Sequence, residues 1–349
     1  MVNAPKAKRV TLRLAMTKPR AFISRRIPRP ALEIIASACD YALWDDLMPA
    51  PRDHFLRAAA EADGVLVMPT ERIDAEFLAA APRVRAVANM GVGYDNIDVP
   101  ALTARGVLVT NTPDVLTEAT ADVAWALLMA AARRVVEGHK AIEAGMWGAW
   151  HPFYMLGQDV FGATIGIVGA GRIGAAIARR ARGFNMRVLY HNRRRTPQLE
   201  AALLAEYRAF DDLLRESDYV VVATPLTAET CGLFDARAFA LMKDTAVFVN
   251  ISRGAVVKEE DLVEALKRGR PWAAASDVFA SEPTPRENPL LSLPNFVGTP
   301  HIGSATLRTR TAMATLAARN LVNALTGQPP LTPVNPEAWS AKQGEATRQ

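Results

Sequence analysis

The chain of 349 residues contains only two cysteines, Cys39 and Cys231. That number excludes a disulfide framework or a structural zinc site and fits a reducing compartment, so the expected location is cytoplasmic. There is no run of eighteen apolar residues and no charged, apolar and small-residue leader, so neither a membrane span nor a secretory signal is expected. Aromatic residues are scarce at 7%, while hydrophobic residues make up 50%, the balance of an alanine-rich α/β protein. Acids are missing before Glu33, which leaves a basic N-terminus. A presequence or a nucleic-acid tail is one reading of it. Because Arg20, Arg25, Arg26 and Arg29 already flank the first expected strand, residues 1–19 are read instead as a plain extension. The net charge of +5 is modest and otherwise scattered, so no nucleic-acid partner is expected, whereas a small anionic ligand is. No His/Asp/Glu cluster has metal-ligand spacing, and no metal is expected.

What is present is organised around residues 162–180, where the apolar run Ile165-Gly-Ile-Val enters Gly169-Ala-Gly171-Arg-Ile-Gly174 and then an alanine-rich helical segment. Strand, glycine turn and helix in this order are the context of a dinucleotide site. Gly169 permits the reversal, Gly171 lets the backbone approach a pyrophosphate, and Gly174 lets helix and strand pack closely. The free N–H groups of the helix start then receive the phosphate charge.

Either side of this unit, apolar runs and helical spacing alternate. Strands are expected at 21–24, 42–44, 65–68, 84–88 and 107–111, with helices at 31–38, 52–62 and 74–81 between them, which makes a small parallel-sheet lobe. A capped helix opening at Thr117 and running apolar on nearly all sides to Gly138 is expected to be buried, between lobes or against another subunit. The aromatic stretch containing Trp147 and Trp150 is long enough to reach a neighbouring subunit, or to pack as a loop of its own chain. Further strands are expected at 187–190, 219–223, 246–251, 272–276 and 296–299, and a long helix at 306–325, with an irregular tail after Gln328.

Ligands of open α/β sheets lie beyond the carboxyl ends of the strands. Arg253, Asp277 and His301 each follow a strand of the second lobe, and Glu282 follows Asp277 closely. Each has a structural reading taken alone: an ion pair, a turn residue, a cap, a loop histidine. Together beside a dinucleotide they have a chemical one. Reducing a carbonyl requires an acid near neutrality, which histidine supplies and a neighbouring carboxylate reinforces. An arginine recognises a carboxylate beside that carbonyl in bidentate fashion. Arg253, Glu282 and His301 are thus the parts for reducing a 2-oxo acid.

The stretches Asn89-Met-Gly-Val-Gly-Tyr-Asp-Asn-Ile-Asp98, Pro113 to Asp122, Gly166 to Gly174, Val249-Asn-Ile-Ser-Arg-Gly-Ala, Asp277-Val-Phe-Ala-Ser-Glu-Pro and Pro300-His-Ile-Gly-Ser304 resemble the D-isomer-specific 2-hydroxyacid dehydrogenases. Within that family the pattern is similar to glyoxylate/hydroxypyruvate reductases. The resemblance implies two doubly wound α/β domains, flavodoxin-like and Rossmann, with an active-site cleft between them, and a homodimer. The implied boundaries are a substrate-binding domain at 20–113 plus 305–349 and a dinucleotide-binding domain at 114–304. It implies that His301 is the acid/base, Glu282 its partner, and Arg253 the ligand of the substrate, with Asn89, Val92 and Gly93 also on the substrate. It sets the cofactor against Thr117, the glycine turn with Arg172 and Ile173, Asn192, Arg193, Arg194, Thr224, Pro225, Ile251, His301 and Gly303, and gives Asp277 the nicotinamide carboxamide.

One position departs from the NAD pattern. Where an acid would bind the ribose 2′-hydroxyl and repel a 2′-phosphate, this chain has Asn192 followed by Arg193, Arg194 and Arg195. NADPH is therefore expected in preference to NADH. The expected reaction is reduction of a small 2-oxo acid, glyoxylate or hydroxypyruvate. The alternatives are a bulkier substrate such as hydroxyphenylpyruvate, or a dinucleotide-sensing binding protein similar to the C-terminal-binding corepressors.

Overall fold

The computed structural model describes residues 18–340, so most of the basic extension at 1–19 lies outside the described residues. The chain forms two compact units, one made of 18–88, Asp98–Thr110 and 317–340, the other of Asn89–Ile97 and Asn111–Leu316.

The first unit holds a five-stranded sheet in the order β2-β1-β3-β4-β5. Its strands are β1 (Arg20–Ile23), β2 (Asp40–Leu43), β3 (Gly64–Val67), β4 (Ala86–Asn89) and β5 (Leu108–Thr110). β3 is buried along its whole length, as an apolar run covered on both faces must be. The helices Arg29–Ala38, Arg52–Ala60 and Ala75–Ala80 fall where the helical spacing places them, the last capped by the Asp74 carboxylate on the Phe77 N–H. The short helix Val99–Ala104, capped by Asp98, had no periodicity long enough to announce it. The tail expected to be irregular is tied to the edge strand. Val334 donates to the Val109 carbonyl at 2.8 Å, and the buried Asn335 side chain takes the Val109 N–H at 2.7 Å, after which residues 336–340 are helical.

The second unit holds a seven-stranded sheet in the order β12-β11-β10-β9-β6-β7-β8. The strands are β6 (Thr164–Val168), β7 (Arg187–His191), β8 (Glu206–Tyr207), β9 (Tyr219–Val222), β10 (Val247–Asn250), β11 (Ala273–Ser276) and β12 (Phe296–Gly298), and all pair in parallel. Successive residues feed opposite cores: Tyr219 and Val221 of β9 enter one apolar cluster, Val220 and Val222 the other. The strand order reverses between β6 and β9, which opens the crevice where a doubly wound sheet takes its ligand. The edge strand β8 is stitched to β7 by the ion pair of Glu206 with Arg187 at 2.8 Å.

The helix expected to run from Thr117 to Gly138 is two helices, Thr117–Ala132 and Val135–Glu143. The break lies at Arg134, whose φ of +54° is left-handed and whose guanidinium is drawn onto Glu137 and the Leu156 carbonyl. Nor does a side chain cap the first helix, since its N-cap is Leu116. Its burial is explained inside its own unit, where it packs on the helix Arg172–Ala181 and on β10 and β11.

The two units divide differently from the expected boundaries. Asn89–Ile97 groups with the second unit because Asp95 pairs with Arg253 at 2.9 Å and Gly91 accepts the Thr112 N–H at 2.9 Å. The helix Leu307–Leu325 contributes to both units, and Leu321 and Leu325 lie against Gly64 of β3.

Candidate active site

The glycine turn shows why each glycine stands where it does. Gly169 has φ +95°, and a Cβ on it would lie 2.4 Å from the Thr224 amide nitrogen beyond β9. A Cβ on Gly174 would lie 2.4 Å from the Gly169 carbonyl oxygen, so helix and turn touch backbone to backbone. Gly171 differs from both: a Cβ there would meet nothing within 4 Å. It is the N-cap of the helix Arg172–Ala181, so open space lies over unpaired N–H groups at the positive end of the helix. This cradle fits the pyrophosphate of a dinucleotide. Ile173 turns into the core, Arg172 pairs with Asp114 at 2.5 Å, and Thr117 begins the neighbouring helix. Pro225 presents a carbonyl held by the Thr230 hydroxyl at 2.7 Å.

Asn192 does not simply face outward. Its Oδ1 accepts the Ala170 N–H at 2.7 Å and its Nδ2 reaches Thr196, so it braces the turn from the end of β7. The three arginines beyond it are not equivalent. Arg195 forms a bidentate pair with Glu200 and lies over the Tyr207 ring, whereas Arg193 and Arg194 are exposed and have no ion pair among the described residues.

On the other side of the crevice, Arg253, Asp277 and His301 follow β10, β11 and β12, three adjacent strands, so the expected rim exists. Asp277 is 2% exposed and organises the histidine loop. One oxygen accepts from the Thr299 hydroxyl at 2.7 Å and the Ile302 N–H at 2.8 Å, and the other from the Gly303 N–H at 2.7 Å. A carboxylate offers about four acceptor positions, so these three bonds leave one for a ligand. The loop so held puts His301 at φ +53°, a conformation that a non-glycine residue keeps only when its surroundings impose it.

His301 Nδ1 and Glu282 Oε2 are 2.7 Å apart, and the Phe279 N–H donates to Glu282 Oε1 at 2.9 Å. Burial pushes the Glu282 pKa up, but the hydrogen bonds from His301 and Phe279 outweigh it and hold the carboxyl below its usual range. An ionised carboxylate only accepts, so Nδ1 carries the proton of this bond and Nε2 is the ring nitrogen left uncommitted. Among the described residues Nε2 has no protein partner.

Arg253 is fixed from two sides. Its Nε donates to Asp95 at 2.9 Å and its Nη1 to the Ser252 carbonyl at 2.8 Å, while Nη2 lies against Gly93, where a Cβ would be 1.8 Å away. The loop carrying it is locked by Asn250, whose amide donates to the Arg253 carbonyl and accepts from Ser252. Gly254 presses on the Phe279 backbone, where a Cβ would clash at 1.9 Å, and this joins the arginine loop to the Glu282 loop. Ile251, just before this loop, is buried. Sequence reasoning missed Asp95, Asn111 and Asn250 as supports. All three stand inside quoted or adjacent motifs, but a lone polar residue in a loop shows no periodicity that separates a brace from a surface group.

A dinucleotide crevice with an arginine and a histidine–carboxylate pair on its rim defines a nicotinamide-dependent oxidoreductase. Comparison with known proteins agrees. The family model for the NAD-binding domain of D-isomer specific 2-hydroxyacid dehydrogenases matches residues 125–303. A glyoxylate reductase of Thermococcus kodakarensis is 51% identical over 330 residues, covering 93% of this chain and 99% of its own. Among solved structures, a glyoxylate reductase from Paecilomyes thermophila superposes with a TM-score of 0.82 at 35% identity, over 91% of this chain and 99% of its own. An NADPH-dependent glyoxylate/hydroxypyruvate reductase from Sinorhizobium meliloti, in complex with NADP and malonate, gives 0.81 at 33%, over 92% and 98%. The chain belongs to the D-isomer-specific 2-hydroxyacid dehydrogenase family and is an NAD(P)-dependent oxidoreductase.

Proposed function

We propose that this enzyme reduces a small 2-oxo acid, glyoxylate or hydroxypyruvate, to the D-2-hydroxy acid with NADPH. The observation that carries the reading is the rim: an arginine fixed by Asp95, and a histidine whose Nδ1 is committed to Glu282. When bound, the dinucleotide supplies a hydride to the carbonyl carbon. Arg253 holds the carboxylate and polarises the adjacent carbonyl, and the amides of Val92 and Gly93 share the carboxylate. His301 Nε2 gives its proton to the carbonyl oxygen, and the bond from Nδ1 to Glu282 fixes the ring for that transfer. With the dinucleotide bound, Asp277 would offer its remaining acceptor position to the carboxamide. The glyoxylate reductase names of the relatives support the substrate class.

NADPH is favoured by the two arginines left without an ion pair, Arg193 and Arg194, with no acid at Asn192 to repel a 2′-phosphate. The NADP complex of the Sinorhizobium meliloti relative supports this. With glyoxylate as acceptor, kcat/KM for NADPH should exceed that for NADH when oxidation of the reduced cofactor is followed by absorbance. Replacing both arginines with Ala should lower kcat/KM for NADPH about ten- to a hundredfold and leave NADH nearly unchanged. An NADH preference in the parent enzyme would overturn the cofactor assignment. A panel of 2-oxo acids in the same assay separates small substrates from hydroxyphenylpyruvate.

The same reading includes a homodimer in the cytoplasm. Its support is an apolar stretch at the surface, with Met146, Trp147, Trp150 and Phe153 all exposed and Trp150 at 81%. Sedimentation at micromolar concentration should show twice the chain mass; a single-chain mass would refute the dimer. Among the described residues no helix is long and apolar enough to cross a membrane.

A further inference from the structure

Three consecutive carbonyls of one turn are held, two by the segment Asn111–Thr112 and one by Asn89 at the end of β4. Gly91 accepts the Thr112 N–H at 2.9 Å, Val92 accepts Asn111 Nδ2 at 2.8 Å, and Gly93 accepts Asn89 Nδ2 at 2.8 Å. Because a trans peptide is planar, each N–H points away from the carbonyl of the same unit. Holding these carbonyls therefore turns the N–H groups of Val92, Gly93 and Tyr94 away from the clamp. None of the three has an acceptor among the described residues. Successive N–H groups presented in this way make an anion nest. The guanidinium of Arg253 lies on the same turn, against Gly93.

Asn89 is fully buried, and its Oδ1 has no hydrogen-bond partner. A buried amide with half its bonding unsatisfied carries a cost, which points to the remaining half, the Nδ2 bond to Gly93, as what the residue is there to make. A fully buried side chain acts on a ligand through the turn and not by touching it.

We propose that Asn89 and Asn111 are positioning residues that hold the 91–94 turn as an anion seat, so that its N–H groups and Arg253 together take the carboxylate of the substrate. This rests on the carboxylate-binding part of the proposed function and adds the device that pre-forms it. Without the clamp the peptide units can rotate and the nest is lost, while the dinucleotide cradle at Gly169–Gly174 is untouched.

The test uses Asn111→Asp. The two side chains have the same shape, but an ionised carboxylate cannot donate to the Val92 carbonyl and repels it. At pH 8, KM for glyoxylate should rise at least tenfold, with a smaller fall in kcat and little change in KM for NADPH. Affinity for oxalate, a carboxylate that is not reduced, should fall by the same factor when titrated calorimetrically into the NADPH-bound enzyme. Lowering the pH towards 5.5 should narrow both deficits, because a protonated carboxyl regains a donor. Asn111→Ser, which removes the donor without adding charge, should show the same loss and no recovery with acid. It also serves if the aspartate variant fails to fold. Oxalate and glyoxylate constants within twofold of the parent in a folded variant would overturn the proposal, as would a loss of NADPH affinity in step with the loss of oxalate. If the parent binds oxalate and the variants do not, yet the parent fails to reduce glyoxylate, the seat stands and the reaction assignment falls.

Discussion

His301→Ala should lower kcat for glyoxylate reduction by about 10²–10⁴-fold while the dissociation constant for NADPH stays within a few-fold of the parent. The expectation follows from where the ring is held. Nδ1 is bonded to a carboxylate kept ionised by two hydrogen bonds, so Nε2 is the ring nitrogen left to deliver a proton. The glycine turn and the helix Arg172–Ala181 lie on β6, away from the loop that follows β12, so cofactor affinity should survive. Steady-state kinetics with quenching of protein fluorescence by NADPH separates the two quantities. Unchanged turnover would remove His301 from the chemistry.

Arg253→Ala should reduce kcat/KM for glyoxylate by roughly 30- to 5,000-fold, the range that follows from losing about 2–5 kcal/mol at a partly buried charged contact. Three things are lost at once: the carboxylate ligand, the polarising charge beside the carbonyl, and the partner of Asp95. The abandoned Asp95 carboxylate then adds its own repulsion to the incoming anion. Arg253→Lys should recover only a small part, because an ammonium cannot reproduce the planar fork that reaches Asp95 and the Ser252 carbonyl while offering Nη2 to a ligand. The measurement is kcat/KM alongside the denaturation midpoint. A variant folded like the parent and equally active would refute the role.

Much of the second unit was legible because its sheet is buried on both faces. Runs such as Tyr219-Val-Val-Val and Val247-Phe-Val-Asn can hardly be anything but central parallel strands, and the residues after them then share a rim by topology. Periodicity failed where local geometry overrode it. The apolar pattern through Arg134 reads as one helix, yet a left-handed residue there breaks it, since an arginine drawn onto Glu137 leaves no trace in hydrophobic spacing. The short helices Ala236–Leu241 and Phe210–Glu216 span too few turns to establish a period. The tail beyond Gln328 looked polar because what ties it down is Asn335, a polar side chain satisfied by the backbone of β5. Arg195 looked equivalent to its neighbours until its pairing with Glu200 set it apart, as only tertiary placement reveals which of several adjacent cations is already neutralised.

The grouping of Asn89–Ile97 with the second unit bears on how this chain can be recombined. A chimera cut once, at the junction near residue 111, would transplant Arg253, Glu282 and His301 but leave Asp95 and the 91–94 turn to the recipient's own sequence. Such a hybrid would inherit His301 and Arg253 without Asp95, which holds the arginine. A graft that carries the nine-residue insert as well keeps Asp95 and the 91–94 turn with Arg253, Glu282 and His301, so the unit that would have to be inherited together is discontinuous in sequence although it is contiguous in space.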